Sequence, residues 1–250
     1  MAPSSTHSRE FSLDRFSATY IVKFIPTYLL VHGGWGGAWC WQKLAAEFDR
    51  RGIKWIAIDL PSSKSGASPS TDLAADAAAV ASTVHRDGHY ILVGHSYGGA
   101  VVTEVAPRIP NLERIVYVAA LVPKEGQSAT ETARVVRVPT KLDEAIEVDG
   151  DYLRLNHHIA SAALYNDCPA AIASWAVDKL STQTLASFRA KRTSSDTDVD
   201  SLYIRCTLDR AIDPLLQEHM SERCDIVFDL ASDHSPFLSQ PTNLCEAILS

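Results

Sequence analysis

Two rhythms of apolar and polar positions alternate along the chain. Short apolar runs recur at Tyr28-Leu-Leu-Val31, Ile53–Leu60, Tyr90-Ile-Leu-Val93, Ile115–Leu121, Ser201–Cys206 and Asp225–Leu230, and each predicts a buried strand. Between them apolar residues fall at helical spacing: Trp41, Leu44, Ala45 and Phe48 within 39–51, Leu73, Ala77, Val80 and Val84 within 71–85, and a run over 100–106. Gly52 is placed to end the first of these helices, and a last helix is expected over 243–249. Strand and helix in alternation predict an α/β chain with a mostly parallel, doubly wound sheet. Residues 1–18, rich in Ser, Thr and charge, read as a flexible leader, followed by an edge strand around 19–24.

After Pro123 the alternation stops. Residues 124–198 carry helical segments and polar connections with no strand expected to join the sheet, so they are assigned as a helical lid between core segments 19–123 and 199–250. Within it, Cys168–Leu180 predicts a helix with Pro169 in its first turn and a face of Ile172, Trp175, Ala176 and Leu180. That face either lines a substrate pocket or packs on the core. Tyr165 and Trp175, with Trp35 from the core, are the substrate-binding candidates.

A chain of 250 residues suits one large domain or a core with an insertion. A net charge of −7 without a dense basic run excludes a nucleic-acid surface and points to a small-molecule partner. The polar start lacks the apolar middle of a signal peptide, and no apolar run reaches membrane-spanning length, so no membrane partner and a cytoplasmic location are expected. Five cysteines without a C-x-x-C pair argue against a disulfide framework or a zinc knuckle. A monomer or homodimer is expected.

The chemistry starts at Gly94-His-Ser-Tyr-Gly-Gly99, where an apolar strand runs directly into a helical pattern. Gly94, Gly98 and Gly99 remove the side chains that would block so sharp a reversal, and leave the Ser96 hydroxyl at the apex, facing a helix N-terminus. A second glycine-rich turn, His32-Gly-Gly-Trp-Gly-Gly37, follows the strand at Tyr28–Val31. It matches neither G-x-G-x-x-G in its proper place nor a P-loop, so it is read as one arm of an oxyanion hole: the N–H groups of Gly34 and Tyr97 converge on one point. His32 is expected to secure that loop and Asp59 to anchor the loop after its own strand.

A serine hydroxyl needs a base within reach and a third group that fixes the base's tautomer. Of the nine histidines, His234 follows the last strand on a loop free to lean over Ser96, whereas the His95 side chain is expected to point away from the apex. Asp209 lies just past the strand ending at Cys206; Asp213 before Pro214 reads as a helix N-cap, and Asp233 would have to fold back to reach its neighbour. Adjacent His157 and His158 do not face one site, and no metal or organic cofactor is needed for acyl transfer. The triad is therefore assigned as Ser96, Asp209 and His234.

These segments together, His32–Trp41, Gly94–Gly99, Tyr203–Asp209 and His234–Ser239, resemble the α/β-hydrolase superfamily. More narrowly they are similar to the branch that holds plant methyl esterases, hydroxynitrile lyases and related microbial serine esterases. The resemblance implies an α/β-hydrolase fold with a helical lid inserted after the sixth strand, and a serine carboxylesterase acting on small carboxylic esters through an acyl-enzyme on Ser96. One lyase group carries threonine and lysine at the places of Gly33 and Ser235, and the other carries asparagine and histidine at those of Gly34 and Gly36, so this chain has neither lyase set. The alternatives on the same triad are a hydroxynitrile lyase, a lactonase, a carbon–carbon bond hydrolase, or a ligand receptor with a vestigial site.

Overall fold

A computed structural model describes residues 24–250; the leader and the edge strand expected at 19–24 fall, but for Phe24, outside the described residues. Six strands form one sheet: β1 (Thr27–Val31), β2 (Lys54–Ile58), β3 (Tyr90–His95), β4 (Leu112–Val118), and two later ones after an insertion. The insertion comprises α4 (Ala129–Ala133), α5 (Lys141–Ala145), β5 (Ile146–Asp149), β6 (Tyr152–Leu155), α6 (His157–Leu164), α7 (Ala170–Asp178), β7 (Gln183–Thr184) and α8 (Leu185–Arg189). The sheet resumes with β8 (Ser201–Cys206) and β9 (Ile226–Leu230), in the order β2-β1-β3-β4-β8-β9. Every pairing in it is parallel.

The crossover helices cover both faces, as a parallel sheet requires. They are α1 (Gln42–Arg50), α2 (Leu73–Ala81), α3 (Tyr97–Val105) and α9 (Pro214–Ser221), joined after the last strand by α10 (Pro236–Ser239) and α11 (Pro241–Leu249). Alternate residues of each strand divide the core. Tyr28 and Leu30 pack with Leu44 and Phe48 of α1 on one face, while Leu29 and Val31 pack with Val80 of α2 and Val101 of α3 on the other.

The insertion follows β4, the fourth strand of the described residues. One expectation is corrected: the insertion is not purely helical, since β5, β6 and β7 make a small antiparallel sheet of their own, which stays separate from the main one. Its strands are only two to four residues long, too short to show a period of two above the helical background. No helix among the described residues is long and apolar enough to cross a membrane.

Candidate active site

Because all six strands run the same way, the loops that follow β1, β3, β8 and β9 leave from one edge of the sheet. Strand order reverses between β1 and β3, and a crevice opens where their loops part to opposite faces. A cavity of about 360 Å³, including its open mouth, lies here, lined by Gly33, Gly34, Trp35, Ser96, Tyr165 and His234 among others.

Ser96 stands at φ 53° and ψ −122°, between the end of β3 and the start of α3. A non-glycine residue with positive φ is strained, and it persists here because the surroundings hold it. The Ser96 N–H donates to Val118 O at 3.2 Å, and its carbonyl accepts from Gly99 N–H and Leu121 N–H, both at 3.0 Å. The turn fits only because Gly98 lets α3 pass close to β1: a Cβ there would lie 2.4 Å from Val31 O.

His234 and Asp209 are both buried, and Nδ1 of the ring lies 2.7 Å from Oδ2 of the carboxylate. Four donors converge on Asp209 and fix its orientation: His234 Nδ1–H and Gln217 Nε2–H (2.9 Å) on Oδ2, with Ala211 N–H (2.7 Å) and Ile212 N–H (3.0 Å) on Oδ1. The rival aspartates are engaged elsewhere. Asp213 caps α9 by accepting from Leu215 N–H at 2.9 Å. Asp233 is buried and accepts from Ser239 Oγ (2.8 Å) and from Asp167 N–H of the insertion (3.0 Å).

His32 serves the loop after β1. Its Nε2 accepts from Leu60 N–H at 3.0 Å, so Nδ1 carries the proton and donates to Gly33 O at 2.7 Å. Burial pulls its pKa down to about 4, against opposing contributions from the Gly33 bond and the Asp59 charge. Asp59 in turn accepts from Ala38 N–H at 2.6 Å. The expectation for His95 is corrected: its ring does not leave the site but lines the cavity, with Nε2 donating to His234 O at 2.8 Å and the two rings 4.5 Å apart. Burial, followed by the neighbouring His234, holds its pKa well below the usual histidine range. Cys40, in the cavity wall, has its thiol pushed up to about 12 by burial, so it is held as the unreactive thiol.

Gly34 lines the cavity and Tyr97 occupies the first position of α3, immediately after Ser96. Trp35 and Tyr165 also line it. Trp175 does not. It projects from α7 against Trp39, ring centroids 5.3 Å apart and edge-on, and so packs the insertion on the core. Trp35 stands at φ 60° in a turn closed by Gly36 N–H to Gly33 O (3.3 Å), a conformation that costs a non-glycine residue about 1–2 kcal/mol. Gln183, Phe188 and Gln217 were not among the candidates. Gln217 had a signal, since it lies in register with buried Leu216 and Met220 on α9; Gln183 sits in the polar stretch 181–184, which has no periodic pattern.

The sequence pattern of the alpha/beta hydrolase family matches residues 28–247. Among similar proteins, norfluorocurarine synthase 2 of a Strychnos species is 27% identical, over 89% of this chain and 93% of its own. Methylesterase 17 of Arabidopsis thaliana is 28% identical, over 86% and 87%. A pyrethroid hydrolase from Sphingobium faniae JZ-2 superposes with a TM-score of 0.75 at 23% identity, over 90% of this chain and 96% of that one. Polyneuridine aldehyde esterase does so with a TM-score of 0.75 at 22% identity, over 90% and 98%. A match that runs from the first strand of the sheet into the last helix, on a fold with this strand order, makes the chain a member of the alpha/beta hydrolase family.

Proposed function

We propose that this chain is a serine carboxylesterase that hydrolyses small, uncharged carboxylic esters. The observation that carries the reading is the buried contact of 2.7 Å between His234 Nδ1 and Asp209 Oδ2, with His234 on the wall of the same cavity as Ser96. In this reading Ser96 Oγ attacks the ester carbonyl carbon while His234 Nε2 takes its proton, and Asp209 holds the ring through Nδ1–H. The N–H groups of Gly34 and Tyr97 receive the oxyanion. Collapse of the tetrahedral intermediate expels the alcohol, which leaves with the proton from His234. A water then gives its proton to the same nitrogen, attacks the acyl carbon, and releases the acid with Ser96 restored.

The lining supports the substrate class. Apart from the two histidines it is apolar or neutral, with Leu142, Leu164, Leu180, Tyr165 and Phe237, so a charged acyl group would lose its hydration without a partner. Names among the relatives, several methylesterases and a carbendazim hydrolyzing esterase from Nocardioides sp. that is 35% identical over 42% of this chain, point to the same class.

The test is steady-state hydrolysis of a series of p-nitrophenyl esters and aromatic methyl esters by the intact protein and by Ser96→Ala, His234→Ala and Asp209→Asn. The proposal expects turnover of short neutral esters, with kcat falling by about 10⁴-fold in Asp209→Asn and at least as far in Ser96→Ala. Undiminished turnover in Ser96→Ala overturns it.

A further inference from the structure

The two backbone segments that carry Gly34 and Tyr97 are joined to each other through the insertion. Trp35, next to Gly34, is kept at its positive φ by three hydrogen bonds, and the partner in each is a residue of the insertion. Gln183 Oε1 accepts the Trp35 N–H at 3.2 Å, Leu153 O accepts the indole Nε1–H at 3.1 Å, and Ser181 N–H donates to Trp35 O at 2.8 Å. Gln183 is fully buried, and its Nε2 donates to Ser62 Oγ at 2.7 Å and Ser187 Oγ at 2.6 Å. Those two bonds dictate the orientation of the amide; turned over, it would set an NH₂ group against the Trp35 N–H.

From Ser62 the chain of bonds reaches the other segment. Ser62 Oγ donates to Asp76 Oδ2, and the Tyr97 hydroxyl donates to the same oxygen at 2.8 Å. Both Asp76 and Tyr97 are fully buried. Phe188, from α8, makes a second link. Its ring stacks on Tyr97 with centroids 4.8 Å apart, lies 5.6 Å from the Trp35 ring, and comes so near Gly34 that a Cβ there would meet its Cζ at 3.1 Å. One short piece of the insertion, Gln183 to Phe188, thus touches both segments at once.

We propose that Gln183 and Phe188 are positioning residues for the oxyanion hole, holding the Gly34 and Tyr97 donors at their working separation. The hole is complete only while the piece from β7 to α8 is seated on the core, so the insertion is part of the catalytic apparatus as well as a cover for the substrate. The inference rests on the serine-esterase reading above. A hydrogen-bond donor displaced by a fraction of an ångström binds the substrate carbonyl almost as before but loses much of its hold on the oxyanion.

Gln183→Met keeps the length of the side chain and removes its bonds; Phe188→Leu keeps an apolar filler and removes the stacking. Each is expected to lower kcat by about 10- to 100-fold with KM within about threefold of the wild type, and to weaken binding of an alkyl boronic acid, a mimic of the tetrahedral intermediate, by the same factor as kcat/KM. The pH profile should keep its midpoint, because the His234–Asp209 pair is untouched. A kcat within twofold of wild type in both variants overturns the inference, as does a rise in KM alone. Should Gln183→Met lose its near-ultraviolet circular dichroism, Phe188→Leu decides by the same readouts. Activity that survives in Ser96→Ala overturns the esterase reading itself, whereas loss in Ser96→Ala beside full activity in both Gln183→Met and Phe188→Leu overturns this inference alone.

Discussion

At the scale of single residues the site is a problem of clearance. The loop after β1 lies so close to Ser96 that a Cβ added at Gly33 would sit 2.8 Å from Ser96 Cβ and 2.9 Å from His95 Nδ1. Neither neighbour is the loose end of a flexible chain: Ser96 is pinned through its N–H and its carbonyl, and the His95 ring is bonded to His234 O at 2.8 Å. Gly33→Ala must therefore displace the hydroxyl or push the ring against His234, and a displacement near 1 Å costs about 100-fold in rate. The expected result is a kcat/KM lower by about that factor with the fold retained, read by ester hydrolysis and a thermal melt. A kcat/KM within twofold of wild type would show that the clearance is not used. Gly52 makes the comparison, since its added Cβ would meet nothing within 4 Å and only its φ of 67° resists substitution; Gly52→Ala should lower stability by about 1 kcal/mol and leave activity alone.

At the scale of elements the decisive packing is α3 against β1. Gly98 brings the helix so near that a Cβ would lie 2.4 Å from Val31 O and 2.5 Å from His32 O, both backbone atoms that cannot turn aside. Gly98→Ala is expected to destabilise the protein by about 3 kcal/mol, measured as a drop in the urea midpoint with an unchanged m value. An unaltered midpoint would mean that α3 slides without cost. This contact explains why the core was legible in the sequence: a glycine after an apolar strand, and helical spacing beyond it, have one steric solution. It places Ser96 on the elbow, and parallel strands then deliver Asp209 and His234 to the same edge. The insertion was not legible for the opposite reason. β7 is two residues long, and Gln183 earns its place by bonds to Trp35, Ser62 and Ser187, residues 148, 121 and 4 positions away. No local pattern encodes partners at such separations. Trp175 failed as a pocket residue for a related reason, because helical spacing marks the buried face of α7 but not which surface that face meets.

For the whole molecule, the site imposes a dependence of stability on pH. His32 and His95 are buried against one another's loops and hold the neutral form, His32 with its pKa pulled down to about 4 and His95 well below its usual range, burial being the main cause for both. In the unfolded chain a histidine titrates near pH 6.5. Between those values the unfolded state binds protons that the folded state refuses, so stability is at its full value above about pH 6.5 and falls as the pH drops toward about 4. Protonating His32 would also set a new N–H at Nε2 against the Leu60 N–H that it now accepts. Asp76 works in the other direction, since burial raises its carboxyl, and it offsets part of the loss at the acid end of the window. His32 alone contributes a loss of about 3 kcal/mol between pH 6.5 and 4, a large share of the stability of an ordinary domain. Urea midpoints measured from pH 7.5 to 4.5 should fall steadily below pH 6.5 in the wild type. His32→Gln, which retains an acceptor for Leu60 N–H and cannot titrate, should begin lower at pH 7.5 but fall less steeply. A wild-type midpoint that stays level across the window, or a variant slope equal to it, would show that neither buried histidine resists its proton.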